Sequence, residues 1–441
     1  MQLRNSLPLD DYIIGRLLTF LPSFSELSAM ILASKSFYAV FEAHPNSVIR
    51  AVAYNAVGPA LPQALRVLRS HPPDDENSTQ QWSEADPLSP ITSHEICELI
   101  ANAGVVEGLE DLISSRHKDR KYQTSQLNPT ESFKFCRAVY RWMLFSTVFP
   151  LHILELYVEP IEEDVEEIRL ARKVFLSQFS DCELLELYSV AFCMRDIAEW
   201  AAAADSTNLF NSLSDIGDLA HASGPAKLLG AYLSGCSYSL RDLLGDDSFE
   251  DYEESPLIQG YILWPLREIL EHRNAKQIDE NETHLLSILD NIHHQAKDPC
   301  TFCDNECGFD LWNETNWEYL RGVIPLESLS RLLIGQLSSN VIESERFRIL
   351  VSNPTFTYTT FLRELHQERY HGQGWRRRDW LCKHCIVQLF RSYTWAWLLR
   401  QNKKKGIEIP EDCVYGYACK AQDNKIHAET FNHLCTTKLS S

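Results

Sequence analysis

The chain has 441 residues, 44% of them hydrophobic and 11% aromatic, with a formal net charge of -20. That is enough apolar material for a sizeable core, and length for two or three domains or one large helical body with small appendages. A field this negative repels phosphate, which excludes nucleic-acid binding through overall charge. Residues 371–441 depart from it: they hold 12 Lys+Arg against 6 Asp+Glu, a balance of +6 that leaves -26 for the rest.

Residues 7–57 read as helical. Leu7-Pro8-Leu9-Asp10 places a proline near a helix start with acids in the first turn. Ile13, Ile14, Leu17, Leu18, Phe20 and Leu21 then follow at helical spacing. Pro22-Ser23 interrupts, and Ser25 is the expected N-cap of a run from Glu26 to Leu32. A third run carries Phe37, Tyr38, Val40 and Phe41; Pro45-Asn46 breaks it, and Ile49 to Val57 resumes. The polar stretches 70–92 and 115–131 are expected to be flexible, disordered loops. From 94 to 290, apolar helical runs such as Phe133–Phe149 and Val165–Phe179 alternate with polar breaks, and alternation of period two is scarce. The expected fold is mainly α: an N-terminal helical unit over 1–57, a helical body over 58–370, and a small Cys/His-rich segment over 371–441. No repeat of fixed period is visible, which argues against propeller or leucine-rich architecture.

Two acidic patches interrupt the body, Glu159–Glu167 and Asp246–Glu254. They suit a solvated helix start and a solvated loop, or a docking face for a basic partner. The most apolar stretch, 133–157, is broken by Lys134, Arg137, Arg141 and Pro150, so no membrane span is expected. Met1-Gln2-Leu3-Arg4 runs straight into Leu7-Pro8 without a secretory apolar region, so the expected compartment is cytoplasm or nucleus. Thiols stay reduced there, and clustered cysteines point to metal before disulfides.

The ordered set Leu7-Pro8, the Ile13–Leu21 run, Leu27 to Leu32, and Ser34-Lys35-Ser36-Phe37 resembles an F-box, over about a tenth of the chain. Ala33 departs from the commoner Val or Cys before Ser34. The resemblance implies a substrate-recognition adaptor of an SCF-type cullin–RING ubiquitin ligase. Residues 5–50 would bind a Skp-type adaptor, and through it the cullin scaffold, using Leu7, Pro8, Ile13, Ile14, Leu17, Leu18, Leu21, Leu27, Leu32 and Phe37. The physics agrees, because helices this short cannot bury all their apolar residues alone; docking on the protein's own body is the plainer account. Ala43-His44-Pro45-Asn46-Ser47 and Tyr54–Ala64, together with the C-terminus, are similar to a large group of fungal F-box proteins.

That C-terminus holds Cys382-x2-Cys385, then Cys413, Cys419, His427, His433 and Cys435. Two thiolates at x2 spacing can take two corners of a tetrahedron. Asp412-Cys413-Val414-Tyr415-Gly416-Tyr417-Ala418-Cys419, His427-Ala428 and Asn432-His433-Leu434-Cys435 follow the pattern of the resembling group closely. Four of the seven, or of eight with His384, would hold a structural zinc; Cys382, Cys385, Cys419 and Cys435 form the preferred set, with His433 or His427 as substitutes. Cys300, Cys303 and Cys307 form a weaker second cluster without a fourth ligand nearby in sequence, so a metal there must recruit His293, His294 or the tail, which would hold the two segments together.

Trp375, Trp380, Trp395 and Trp397 interleave with Arg376–Arg378 and Lys403–Lys405. This supports an alternative, a zinc-containing nucleic-acid or chromatin protein, although a tryptophan core with solvated cations fits the net charge better. No phosphate-binding glycine loop, nucleophile elbow or H-E-x-x-H motif occurs. An adaptor needs no such chemistry, and no enzyme is expected. Its partners would be proteins, with no role for membrane or nucleic acid.

Overall fold

The computed structural model describes residues 10–70, 89–150, 162–203, 216–234, 256–275, 282–291, 298–353, 355–367 and 375–437. Their fold is mainly α. Four short helices come first: α1 Asp11–Thr19, α2 Phe24–Ala33, α3 Lys35–Ala43 and α4 Pro45–Val57. Ser23, not Ser25, caps α2: its extended backbone turns the hydroxyl onto the Glu26 N–H, which pulls Phe24 into the helix and into the core. Ser34 ends α2 and caps α3. Ile14 and Leu18 on α1 meet Leu27, Phe37, Val40, Val48 and Val52. The Asn55 amide closes the unit, donating to the carbonyls of Thr19 (2.8 Å) and Leu21 (2.9 Å).

The body continues with α5 Leu61–Arg69, α6 Ser93–His117, α7 Pro129–Val148, α8 Glu162–Ser177, α9 Asp181–Ala203, α10 Ile216–Ser223, α11 Pro225–Ser234 and α12 Leu263–His272. Thr92 with Glu95, and Asn128 with Glu131, form capping boxes at the starts of α6 and α7. Helix α7 is central, packing on α5, α6 and α9 with Phe135, Trp142 and Phe145 fully buried. The Trp142 indole donates to the His221 carbonyl at 2.8 Å, so this large side chain is buried without leaving its N–H unpaired.

One continuous core runs from Ile14 to Leu289, so the first four helices share the body's core; a second core runs from Cys300 to Leu434. The second core thus takes in residues on both sides of 371. Helices α13 Glu343–Val351 and α14 Tyr358–Leu365 pack with α15 Lys383–Lys404 through Phe347, Phe361, Phe390 and Trp397. A short α16, Lys425–Thr430, follows. The only pairing of β type among the described residues is in isolated bridges, Pro299–Glu306, Trp312–Leu381 and Asp412–Asn432.

The 115–131 insertion is not the loose loop expected. Its ends belong to α6 and α7, and its polar residues are partnered. Buried Arg120 donates to Asp298 Oδ2 (2.6 Å) and the Gly308 carbonyl (2.8 Å), and lies 4.4 Å from the Trp380 ring centre. Fully buried Glu131 accepts from Lys118 Nζ (2.5 Å) and from the N–H groups of Asn128 (2.8 Å) and Asp290 (2.9 Å). Burial opposes its ionisation, but these donors outweigh burial and hold the carboxyl below its usual range. Polar composition here marks buried pairs: Arg120 reaches across to the second core, and Glu131 secures the connection within the first. Of the 70–92 loop, 71–88 lie outside the described residues, as does the 246–254 patch. No helix among the described residues is long and apolar enough to cross a membrane.

Glu183 gives a pH signature. Burial pushes its carboxyl up, but the Ser180 hydroxyl and N–H and the Arg141 guanidinium (2.5 Å) bring it down to about 2. A depressed carboxylate stabilises the fold above its unfolded pKa, ~4.3, and that contribution is lost as pH falls toward 2. Glu183→Gln is expected to be less stable near neutral pH, and to lose less stability than wild type between about pH 4.3 and 2 in urea titrations. Equal slopes in the two proteins would contradict this account.

Candidate metal centres and the exposed face of the first helix

Cys300-Thr301-Phe302-Cys303 forms a tight turn. The Cys300 N–H reaches the Asn305 carbonyl (2.8 Å) and the Asp304 N–H returns to the Cys300 carbonyl (2.9 Å). Asp304 takes a positive φ of 57°, which a short polar side chain tolerates. The other half-site is the start of α15, with Cys382 at its N-cap and Cys385 in its first turn. The Trp312–Leu381 bridge and a Thr301 N–H to Trp380 carbonyl bond (2.8 Å) hold the halves in register.

The sulfurs of Cys300, Cys303, Cys382 and Cys385 all lie within 4.8 Å of one another. Cys300 and Cys385 are 3.7 Å apart, Cys303 and Cys382 3.8 Å. A tetrahedral ion bonded to sulfur at about 2.3 Å sets its ligands about 3.8 Å apart, so the spacing fits a metal ion. The Cys382 N–H donates to Cys300 Sγ at 3.3 Å. Burial resists ionisation of Cys300, but the N–H groups of Cys382, Cys303 and Phe302 bring that thiol down to about 7. Burial pushes Cys382 up to about 12, with the charge of Cys300 adding to it. Four such thiols can ionise together only around a cation.

The second centre joins Cys413, Cys419, His427 and His433, whose donor atoms also lie within 4.8 Å of one another. His427 Nε2 is 3.3 Å from Cys419 Sγ and 4.0 Å from Cys413 Sγ, around the ~3.6 Å that a shared tetrahedral ion gives for sulfur and nitrogen. His433 is 1% exposed, and its ring nitrogens make no well-formed hydrogen bond among the described residues beyond a contact with the Phe431 backbone. A buried imidazole with so little hydrogen bonding is costly, and ligation of a metal ion by the four clustered donors would offset that cost. Gly416 permits the chain path: its φ is 49°, and a Cβ there would stand 2.2 Å from the Cys435 carbonyl oxygen. Buried Gln422 ties the loop to the carbonyls of Tyr417 (3.0 Å) and Cys419 (3.1 Å), and accepts from Asn340 (2.9 Å).

The structure thus divides the preferred set. Cys382 and Cys385 belong with Cys300 and Cys303, so the two cysteine clusters do join two segments; Cys419 belongs with Cys413 and both histidines. Cys435 is outside the donor sets, its thiol turned toward the carbonyls of Asn432 (3.4 Å) and Cys413 (3.7 Å). Cys307 lies outside both sets, and His384 is exposed. An x2 half-site needs a second half-site whose position depends on the fold, and the weaker-looking cluster at 300 supplies it. Trp375 and Trp397 are buried, the first 4.2 Å from Phe302 and the second donating to Glu364 (2.6 Å), so these two tryptophans belong to the core.

Helix α1 has an apolar outer face. Ile13 is 44% exposed, Leu17 42% and Phe20 66%, at i, i+4 and i+7, and Tyr12 beside them is 67% exposed. Leu32 on α2 is exposed as well. Ile14, Leu18, Leu27 and Phe37, expected to contact a partner, are core residues, and Leu21 is half-buried. A pair such as Ile13-Ile14 or Leu17-Leu18 must split between inside and outside on a helix 3.6 residues per turn. Leu7 and Pro8 lie outside the described residues. Tyr12 and Phe20 were not in the expected set, although the spacing of Phe20 to Ile13 and Leu17 was there to find it.

Comparison of the chain with family models, curated proteins and solved structures finds no match.

Elemental analysis of metal-saturated protein is expected to lose about one ion per chain on Cys385→Ser and about one on His433→Ala. Cys307→Ser, Cys435→Ser and His384→Ala should lose none; a lost ion in any of these would redraw the donor sets.

Proposed function

We propose that this chain is an F-box adaptor: α1 and α2 dock a Skp-type subunit of a cullin–RING ubiquitin ligase, while the helical body presents a protein substrate. The observation that carries this is the face of Tyr12, Ile13, Leu17 and Phe20, apolar and uncovered on a helix whose other side is anchored by Ile14 and Leu18. A groove of about 430 Å³ between α1 and the α3–α4 corner, lined by Tyr12, Gly15, Arg16, Val40 and Ala43, lies on the neighbouring side of α1 and meets that face only at Tyr12. Contiguous apolar surface of this kind marks a helix-in-groove contact. An adaptor of this sort raises the local concentration of substrate near a conjugating enzyme and performs no bond chemistry itself.

Both metal centres are assigned to zinc. Four thiolates suit zinc or an iron–sulfur cluster, whereas two thiolates with two imidazoles in tetrahedral spacing suit zinc. With four protein donors each, the centres have no open position for catalysis, and zinc would supply folding energy to a region with few long helices. Cys300, Cys303, Cys382 and Cys385 would fasten the turn at 300 to α15, and Cys413, Cys419, His427 and His433 would fasten the tail.

Purified full-length protein is expected to bind a Skp-type adaptor, with affinity falling about tenfold or more in Ile13→Asp and Leu17→Asp, because a charge replaces a desolvated apolar contact. Their circular dichroism should stay unchanged, since both side chains are largely outside the core. Undiminished binding in both variants would remove α1 from the contact, and no binding at micromolar concentration would end the proposal. Two zinc ions per chain are expected, and a chelator should lower the melting temperature.

A further inference from the structure

Helix α8 carries a second uncovered stripe, on the body and separate from α1. Its inner side is built by Val165, Arg172, Phe175 and Leu176, all buried. Its outer side follows 163, 167, 170 and 174, positions that align on a 3.6-residue helix. Leu170 and Val174 are each 61% exposed, among the more exposed large aliphatic side chains described. Glu163 and Glu167, also exposed, continue the same line toward the N-terminus, and among the described residues neither has an ion-pair partner. Glu166 differs, being held by Arg169 at 2.9 Å. Acids in a first turn serve the helix dipole, which accounts for Glu163; Glu167 lies in the second turn, beyond most of that effect.

We propose that this face docks a basic amphipathic helical segment of a partner protein. Its apolar side chains would cover Leu170 and Val174, and its Lys or Arg side chains would meet Glu163 and Glu167. Charge selects this occupant. The apolar pair offers affinity to any apolar segment, but the carboxylates about 10 Å further along the axis favour cations there and disfavour acids. A second copy meeting this face with its own α8 would set Glu163 and Glu167 against the same carboxylates. The acids at 163 and 167 thereby gain a role from their alignment with an apolar stripe, one that holds whether or not α1 binds a Skp-type subunit.

The test uses the full chain and a labelled helical peptide of about 18 residues, made of Leu at i, i+4 spacing and Lys on the flank. The control peptide replaces Lys by Glu. Fluorescence anisotropy is expected to show binding of the Lys peptide that weakens with salt. Its Kd should rise about tenfold or more in Leu170→Gln/Val174→Gln and, separately, in Glu163→Lys/Glu167→Lys. Ile349→Gln, at an exposed apolar residue on α13, should change nothing. Circular dichroism of each variant should match wild type, since the altered side chains are exposed. The proposal is overturned if the Lys peptide does not bind, if it binds both double variants as it binds wild type, or if the Glu peptide binds equally well. It is also overturned if light scattering finds a dimer that Leu170→Gln/Val174→Gln dissociates, because the occupant is then a second copy.

Discussion

Four sulfurs within 4.8 Å of one another, from residues some 80 positions apart, set the terms for the C-terminal half of this protein. Buried thiols at that spacing repel when ionised, and a cation among them removes the repulsion and cross-links the chain at one point. The turn at 300, the Trp312–Leu381 bridge and the start of α15 are arranged around that point. Most of the second core, from Leu311 to Leu381, lies between the two segments that these cysteines bring together. The second centre repeats the logic on a smaller scale, with the buried His433 beside His427 and two cysteines.

The two cores meet through charge. Arg120 leaves the α6–α7 connection to reach Asp298 and Gly308 beside the first centre, and rests on Trp380, the neighbour of Leu381. Glu131 and Lys118 secure the base of the same connection and reach Asp290. Replacing one member of such a buried pair strands the other, which is why a polar connection can be as demanding of sequence as an apolar core. The arrangement joins a body with outward apolar faces on α1 and α8 to a region whose two Cys/His clusters could each hold a metal ion.

Local features were legible in the residues. Ile13, Ile14, Leu17 and Leu18 announce a helix; Asn128-Pro129 with Glu131 is an equally clear helix start, masked in the sequence by its polar neighbours. The Cys-x2-Cys spacings announced half-sites, but spacing does not say which half-sites meet. Ser25 was preferred to Ser23 as a cap because both are serines near Pro22, and only the backbone angles distinguish them.

By itself, the sequence determined the α class, the short N-terminal helices, the presence of metal-ligand half-sites and the acidic run on α8, because each depends on residues within one or two turns of one another. Tertiary structure alone decided that Cys300 and Cys303 complete the site of Cys382 and Cys385, that Cys435 is left out, that residues 298–365 belong with the tail, and that Leu17 faces outward while Leu18 is buried. These depend on contacts between residues tens of positions apart, which form only when the apolar faces have packed.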